Sequence, residues 1–258
     1  RVKDGRRKYY RYHDRDFSIN NQPIREQEAN QIKETLSMLS RFTGAKNFEW
    51  IEELSARLKS EFSLTNNSQI TFFEENPYLE GVQYINELFD HISNKTVLKI
   101  EYHPFNVEHE LLLTFHPYFL KQYNNRWFLF GWNEKGEFIM NLALDRIASI
   151  ESIPNNYIES SIDPEEYFDD IVGVSIPRDG QAEKITLKIN GSLWPYIRSK
   201  PIHGSQKKVE ITEDYAIISI EIMPNYEFYS LLLSYGDGIE LLAPKDVRAE
   251  LFKRIKSM

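Results

Sequence analysis

HPYFLKQYNNRWFLFGWNEKGEFIMNLALDRI, residues 116–147, decides how the middle of this chain is read. Short apolar and aromatic runs alternate with Asn124-Asn125 and Lys135-Gly136, pairs that favour tight turns, so the stretch predicts strands joined by hairpins. Working outward, VLKIEYH, ELLLTFHPYFLKQY, RWFLFGW, GEFIMNLAL and IASIESI make five short strands within 81–153, with a further turn at Asn106 and a helix over 84–92 ahead of them. Five strands in so short a span suit a small barrel, since closing a sheet removes its exposed edges. Along RWFLFGW, Trp127, Leu129 and Gly131 alternate with Arg126, Phe128, Phe130 and Trp132, so apolar groups point to both faces. One face must therefore meet something other than water.

Downstream, residues 154–182 carry Pro154, Pro164 and Pro177 with the acidic run DPEEYFDD, and read as a linker with one helical turn at most. From 183 to 258 the order is strand, short helix, hairpin, amphipathic helix, strand, helix. That is βαββαβ plus a helix, the ferredoxin-like arrangement, in which two helices cover one face of an antiparallel sheet. Upstream, RVKDGRRKYYRY reads as a hairpin turning at Asp4-Gly5 and running to about Phe17. Helical periodicity follows within 18–80, with Ile32, Leu36 and Leu39 on one face of a first helix and Phe48, Ile51, Leu54 and Leu58 on a second. The fold class is thus α+β: a basic hairpin, a helical linker, a five-stranded barrel unit, a second linker and a ferredoxin-like domain.

Composition narrows the function classes. The chain of 258 residues has no cysteine, which excludes disulfides, thiolate zinc sites and cysteine nucleophiles. No apolar run approaches the ~20 residues of a membrane span, so a cytoplasmic location and no membrane partner are expected. The net charge is -8, yet residues 1–16 hold seven Lys/Arg against three Asp, leaving 24 basic and 36 acidic side chains, or -12, elsewhere. The electrostatic footprint for DNA lies in that basic end, at Arg6, Arg7, Lys8 and Arg11.

Catalytic and metal chemistry find little support. His91, His103, His109 and His116 cluster in sequence, but their gaps of 12, 6 and 7 positions do not match paired zinc ligands. No GxSxG, GxxxxGK[ST], GxGxxG or HExxH occurs, and a solvated linker accounts for the carboxylates of 163–170. No cofactor and no catalytic residue is assigned. The pair Asp145-Arg146, placed at the end of the fourth strand, is more informative: one side chain can face a pocket while the other braces the barrel. Arg126 and Lys121 approach from the neighbouring strand. Arginine beside aromatic rings suits phosphate with stacked bases, because its planar fork bonds two oxygens. The alternative for the same residues is barrel core with a surface Arg–Asp pair.

The stretch 116–147 resembles the central motif of the WYL domain. Trp127-Phe128-Leu129 stands for the Trp-Tyr-Leu triplet with Phe in place of Tyr, while His116-Pro117-Tyr118 and Leu144-Asp145-Arg146-Ile147 match the flanking elements. The resemblance extends along the chain and implies a bacterial transcriptional regulator with a winged helix-turn-helix, a helical linker, an Sm-like WYL barrel and a ferredoxin-like C-terminal extension. On that footing residues 1–17 are the remnant of the wing, most of the DNA-binding domain being absent. Duplex DNA is bound through that domain, the protein is a homodimer, and the barrel senses a single-stranded nucleic acid or nucleotide effector. The expected ligand residues are Tyr102 and Trp127 as an apolar wall, with His116, Lys121, Arg126 and Arg146 supplying charge or donors. The competing expectation is a dimerisation or protein-interaction module without a small ligand.

Overall fold

A computed structural model describes residues 79–105, 109–178 and 180–257, together with the backbone at 2–4 and 7–9 and residues 28, 31 and 32. The chain divides into two compact units, Arg1–Pro77 and Tyr78–Met258. In the first unit, β1 (Val2–Asp4) pairs antiparallel with β2 (Arg7–Tyr9), Lys3 opposite Lys8, as the hairpin reading expects. Glu28, Gln31 and Ile32 are helical, in line with the periodicity there. Arg6, Arg11, the turn expected at Asn106 and the second helix expected near 47–58 lie outside the described residues.

The second unit is a mixed α/β structure with two antiparallel sheets. α1 (Ile85–Ser93) leads into β3 (Val97–Tyr102), β4 (Leu111–Tyr123), β5 (Arg126–Asn133), β6 (Phe138–Ala143) and β7 (Ile147–Ile153), in the sheet order β6-β5-β4-β3-β7. Asn124 and Asn125 both have positive φ, 49° and 58°, which a two-residue hairpin between paired Tyr123 and Arg126 requires and which Asn tolerates. β6 and β7 lie at opposite edges, yet only Leu144–Arg146 joins them. Four residue steps reach at most ~14 Å, whereas four gaps in a flat sheet span ~19 Å, so this sheet curls. The Tyr102 hydroxyl bridges the resulting seam by accepting from the Ala143 N–H at 3.3 Å.

Inside the curl sit Leu98, Ile100, Leu113, Phe115, Leu129, Leu142 and Leu144, closed by Leu88 of α1. β4 changes face halfway along. Its register against β5 shifts between Pro117 and Phe119, leaving Tyr118 as an extra residue, a bulge that accommodates a proline with no N–H to donate. The inward alternation therefore runs through Leu113 and Phe115 and, after the bulge, passes to Leu120, while Phe119 and Lys121 turn outward.

The second sheet is formed by β8 (Glu183–Asn190), β9 (Lys207–Ile211), β10 (Tyr215–Ile222) and β11 (Ile239–Ala243), in the order β11-β8-β10-β9. α2 (Trp194–Ser199), α3 (Tyr226–Ser234) and α4 (Lys245–Lys256) complete it. Ile185, Leu187, Ile189, Ala216, Ile218 and Ile220 line one face, packed with Ile197, Phe228, Leu232 and Val247 from the helices. The strand and helix positions read from the sequence in both sheets coincide with these elements.

Candidate functional site

The outer face of the curled sheet is built by β5 and the second half of β4, and segment 157–175 lies across it. At its start the Tyr157 hydroxyl donates to Pro117 O at 2.6 Å, and the Ile158 N–H donates to His116 Nδ1 at 3.1 Å. In the middle, a short 3-10 turn over Glu166–Phe168 drives Tyr167 and Phe168 against Phe119 and Phe130. Phe119 and Phe130 stack on each other with centroids 5.0 Å apart, and the Phe168 ring meets Phe130 edge-on at 5.1 Å. At the far end Asn141 Nδ2 donates to Val174 O at 2.8 Å, while Asn225 Nδ2 donates to Val172 O and Ser175 O. The acidic linker of the sequence is thus a third layer, and it answers why β5 is apolar on both sides.

The six ligand residues expected from the sequence fall in three places. Tyr102 is buried and Trp127 packs against the same inner core. His116, Lys121 and Arg126 belong to the outer face. His116 is 1% exposed; its Nδ1 accepts from Ile158, which leaves the proton on Nε2, 3.7 Å from Glu134 Oε2. Burial holds the pKa of this imidazole below its ordinary value, against the opposing pull of Glu134. The Lys121 ammonium stands 3.1 Å from the centre of the Phe168 ring, and burial lowers its pKa as well. Arg126 Nη2 is 3.4 Å from Asp145 Oδ2.

Arg146 forms the third place. Asp145 and Arg146 belong to a 3-10 turn, Leu144–Arg146, rather than to a strand end, because the chain must cross the seam in three residues. The Arg146 guanidinium lies 3.9 Å above the ring of Phe105, a side chain 71% exposed, while its Nε has no hydrogen-bond partner. Asp145 Oδ1 likewise has none. Gly81, with φ of 86°, presses on this turn: a Cβ there would run into the backbone of Leu144 and Asp145. The Asp145 carboxylate of this turn thus meets the Arg126 guanidinium of β5, while Arg146 of the same turn lies on the Phe105 ring.

Sequence reasoning missed Phe105, Glu134, Phe119, Phe130 and Phe168. Only Phe130 carried a signal, as an aromatic that the alternation of β5 sets on the face opposite Leu129. Among the described residues no group of His, Asp and Glu has the geometry to hold a metal ion, and no helix is long and apolar enough to cross a membrane.

A WYL domain model matches residues 83–152 and a WCX domain model matches residues 181–258. A search of curated proteins finds no match. Among solved structures, the chain is similar to proteasome accessory factor B/C (PafBC) of Arthrobacter aurescens, with 12% identity and a TM-score of 0.30 over 90% of this chain and 35% of that one. It is also similar to a CRISPR Cas-related protein, with 10% identity and a TM-score of 0.44 over 95% of this chain and 74% of that one. The chain thus spans about a third of the length of the Arthrobacter protein.

Proposed function

We infer that this chain, which carries a WYL domain followed by a WCX domain, serves in a bacterial DNA-binding transcriptional regulator whose WYL region senses an anionic effector, nucleic acid or nucleotide, and so controls operator binding. The observation that carries this reading is the turn at 144–146, where Arg126 pairs with Asp145 and the Arg146 guanidinium is laid on an exposed ring. A planar cation against an aromatic face is the pairing that holds a phosphate and a stacked base together. Sheet curl supports the name Sm-like barrel for 81–153. The strand order β11-β8-β10-β9 with intervening helices supports ferredoxin-like for 183–258.

On this reading the protein is a cytoplasmic homodimer and not an enzyme. Duplex DNA is held by a winged helix-turn-helix to which the β1–β2 hairpin contributes the wing, with Arg6, Arg7, Lys8 and Arg11 on phosphates. An effector that prefers one arrangement of the dimer shifts it by that difference in affinity, and the two-fold spacing predicts a palindromic operator.

Fluorescence anisotropy of labelled single-stranded DNA tests the effector site, with residues 1–17 deleted from both the native chain and an Arg126→Ala/Arg146→Ala variant. Binding that weakens between about 50 mM and about 200 mM salt and disappears in the variant supports the assignment. Equal binding by both proteins sinks it. A second reading, an interaction module without a small ligand, is favoured by edge strand β9, where Val209 and Ile211 are 59% and 52% exposed.

A further inference from the structure

We propose that the outer face of β4 and β5, centred on Phe119, Phe130 and Lys121, is a stacking site for the bases of single-stranded nucleic acid, and that segment 157–175 occupies it as an internal stand-in which the effector displaces. The inference rests on the nucleic-acid reading above and adds to it both a second set of contacts and their regulation.

The occupant has the chemistry of what it replaces. Two adjacent rings, Tyr167 and Phe168, meet the Phe119–Phe130 stack edge-on and cover the aromatic surface on which bases would lie. Lys121 caps one of them through its ammonium, the position in which it would meet a base face and the adjoining phosphate. Around these rings the segment carries Glu159, Asp163, Glu165, Glu166, Asp169 and Asp170, and no Lys or Arg occurs from 147 to 177. Asp163, Glu165, Glu166, Asp169 and Asp170 are exposed, so they spread negative charge along the segment as a phosphodiester backbone does.

The seating is built to be exchangeable. Tyr167 and Phe168 are only half-buried, in contrast to Phe130 beneath them at 1% exposure. Both ends of the segment are held by directed bonds, at Pro117 and His116 on one side and at Asn141 and Asn225 on the other, whereas the middle is held to the sheet by ring contacts and Lys121. A strand of nucleic acid can therefore lift the middle while the anchors keep it tethered. The far anchor leads straight into the second sheet: Asp170 O accepts from Met223 N–H at 2.6 Å, and Ser175 Oγ donates to Glu227 of α3 at 2.7 Å. Displacement of the rings thus pulls on the start of α3.

Occupancy of a site by its own chain lowers apparent ligand affinity by the fraction of time the site is free. The test is anisotropy with a labelled oligothymidylate of about 12 nucleotides, on the native chain, Phe168→Ala and Lys121→Ala. Phe168→Ala is expected to bind roughly tenfold tighter and Lys121→Ala weaker than native. Amide hydrogen exchange of 163–171 in the native chain gives a readout free of any folding defect in a variant: protection there should fall when the oligonucleotide is added. If native and Phe168→Ala bind equally and protection is unchanged or rises, the masking is wrong while the nucleic-acid reading stands. If neither binds at low salt, the nucleic-acid reading itself falls, and the masking with it.

Discussion

The two sheets of the second unit solve opposite problems. The C-terminal sheet has one wet face: along β8 the buried Ile185, Leu187 and Ile189 alternate with Lys184, Thr186 and Lys188, and helices cover the apolar side only. The curled sheet has no wet face at β5, where Leu129 points inward at 0% exposure and Phe130 outward at 1%. Two-layer packing suffices for the first and not for the second, which recruits a non-regular segment as its third layer. A face covered by a segment whose only regular structure is a short 3-10 turn, with no strand pairing to the sheet, is one that can be uncovered at modest cost, because few backbone bonds to the sheet need to break.

Paired truncations give the largest effects and test this contrast most directly. In the C-terminal sheet, Leu187→Ala should cost about 2–5 kcal/mol and its neighbour Lys188→Ala no more than ~0.5 kcal/mol. In the curled sheet both members of the pair should be costly, about 2–5 kcal/mol for Leu129→Ala and about 3–5 kcal/mol for Phe130→Ala. Urea denaturation followed by circular dichroism reads all four. A Phe130→Ala cost below ~1 kcal/mol would break the comparison, since the segment would then not be packing the outer face.

Asn225 is where the two regions are tied, and its replacement comes next in size. Its Oδ1 accepts from the Phe228 N–H at 2.9 Å as the cap of α3, while its Nδ2 serves Val172 O and Ser175 O. Loss of a cap costs about 1 kcal/mol and the stranded carbonyls add to it, so Asn225→Ala should cost about 2–3 kcal/mol. Asn225→Asp keeps the cap and loses the two carbonyl bonds, which separates the contributions. If the Asp variant melts like the native chain, the tie between segment and sheet contributes little.

At the near anchor the effect is smaller and depends on pH. His116→Ala removes the acceptor of a part-buried N–H and should cost about 1–3 kcal/mol at neutral pH. In the native chain the imidazole is held neutral, its pKa depressed by burial, and it faces Glu134 and Tyr157, with its ring packed edge-on against Tyr157. Below about pH 6.5 the folded state then binds fewer protons than the unfolded one, so this contribution is full above that value and declines as pH falls toward the depressed pKa. His203, also depressed by burial, acts in the same direction. Thermal melts from about pH 7.5 to about pH 5 should show a shallower loss in His116→Gln than in the native chain; parallel curves would remove His116 as the acid-sensitive anchor.

How much of this can be read from residues alone follows from which interactions are local. The strands are legible because turn pairs such as Asn124-Asn125 and the alternation of β8 are encoded within a few residues. The excess of apolar side chains on β5 is legible too, as a demand for a cover. What covers it is not, because Tyr167 and Phe168 sit in a run whose proline and carboxylates signal solvent, and their partners are some forty residues away. The bulge at Pro117–Phe119 hides the rest: uninterrupted alternation would group Phe119 and Lys121 with Phe115 inside the sheet. Likewise Asp145 and Arg146 read as a strand end, since nothing local shows that the chain must cross a seam there.

The smallest expected stability effect bears most closely on function. Arg126 is 40% exposed and Asp145 11%, so their 3.4 Å contact is a surface-like bond from one side and a nearly buried one from the other. Were solvent to dominate, Arg126→Ala would cost ~0.2–1 kcal/mol, as exposed ion pairs do. Were Asp145 to dominate, the loss would leave a carboxylate whose Oδ1 already lacks a partner with no charge beside it, and the cost would exceed ~3 kcal/mol. The guanidinium is the better solvated partner and the contact is single and long, so the first regime should hold, with a coupling of at most ~1 kcal/mol in an Arg126→Ala/Asp145→Ala double-mutant cycle. A coupling of that size leaves Arg126 free to exchange Asp145 for an incoming phosphate. A value well above ~2 kcal/mol would make the pair a brace of the turn, leaving Arg146 and Phe105 to hold any anion without it.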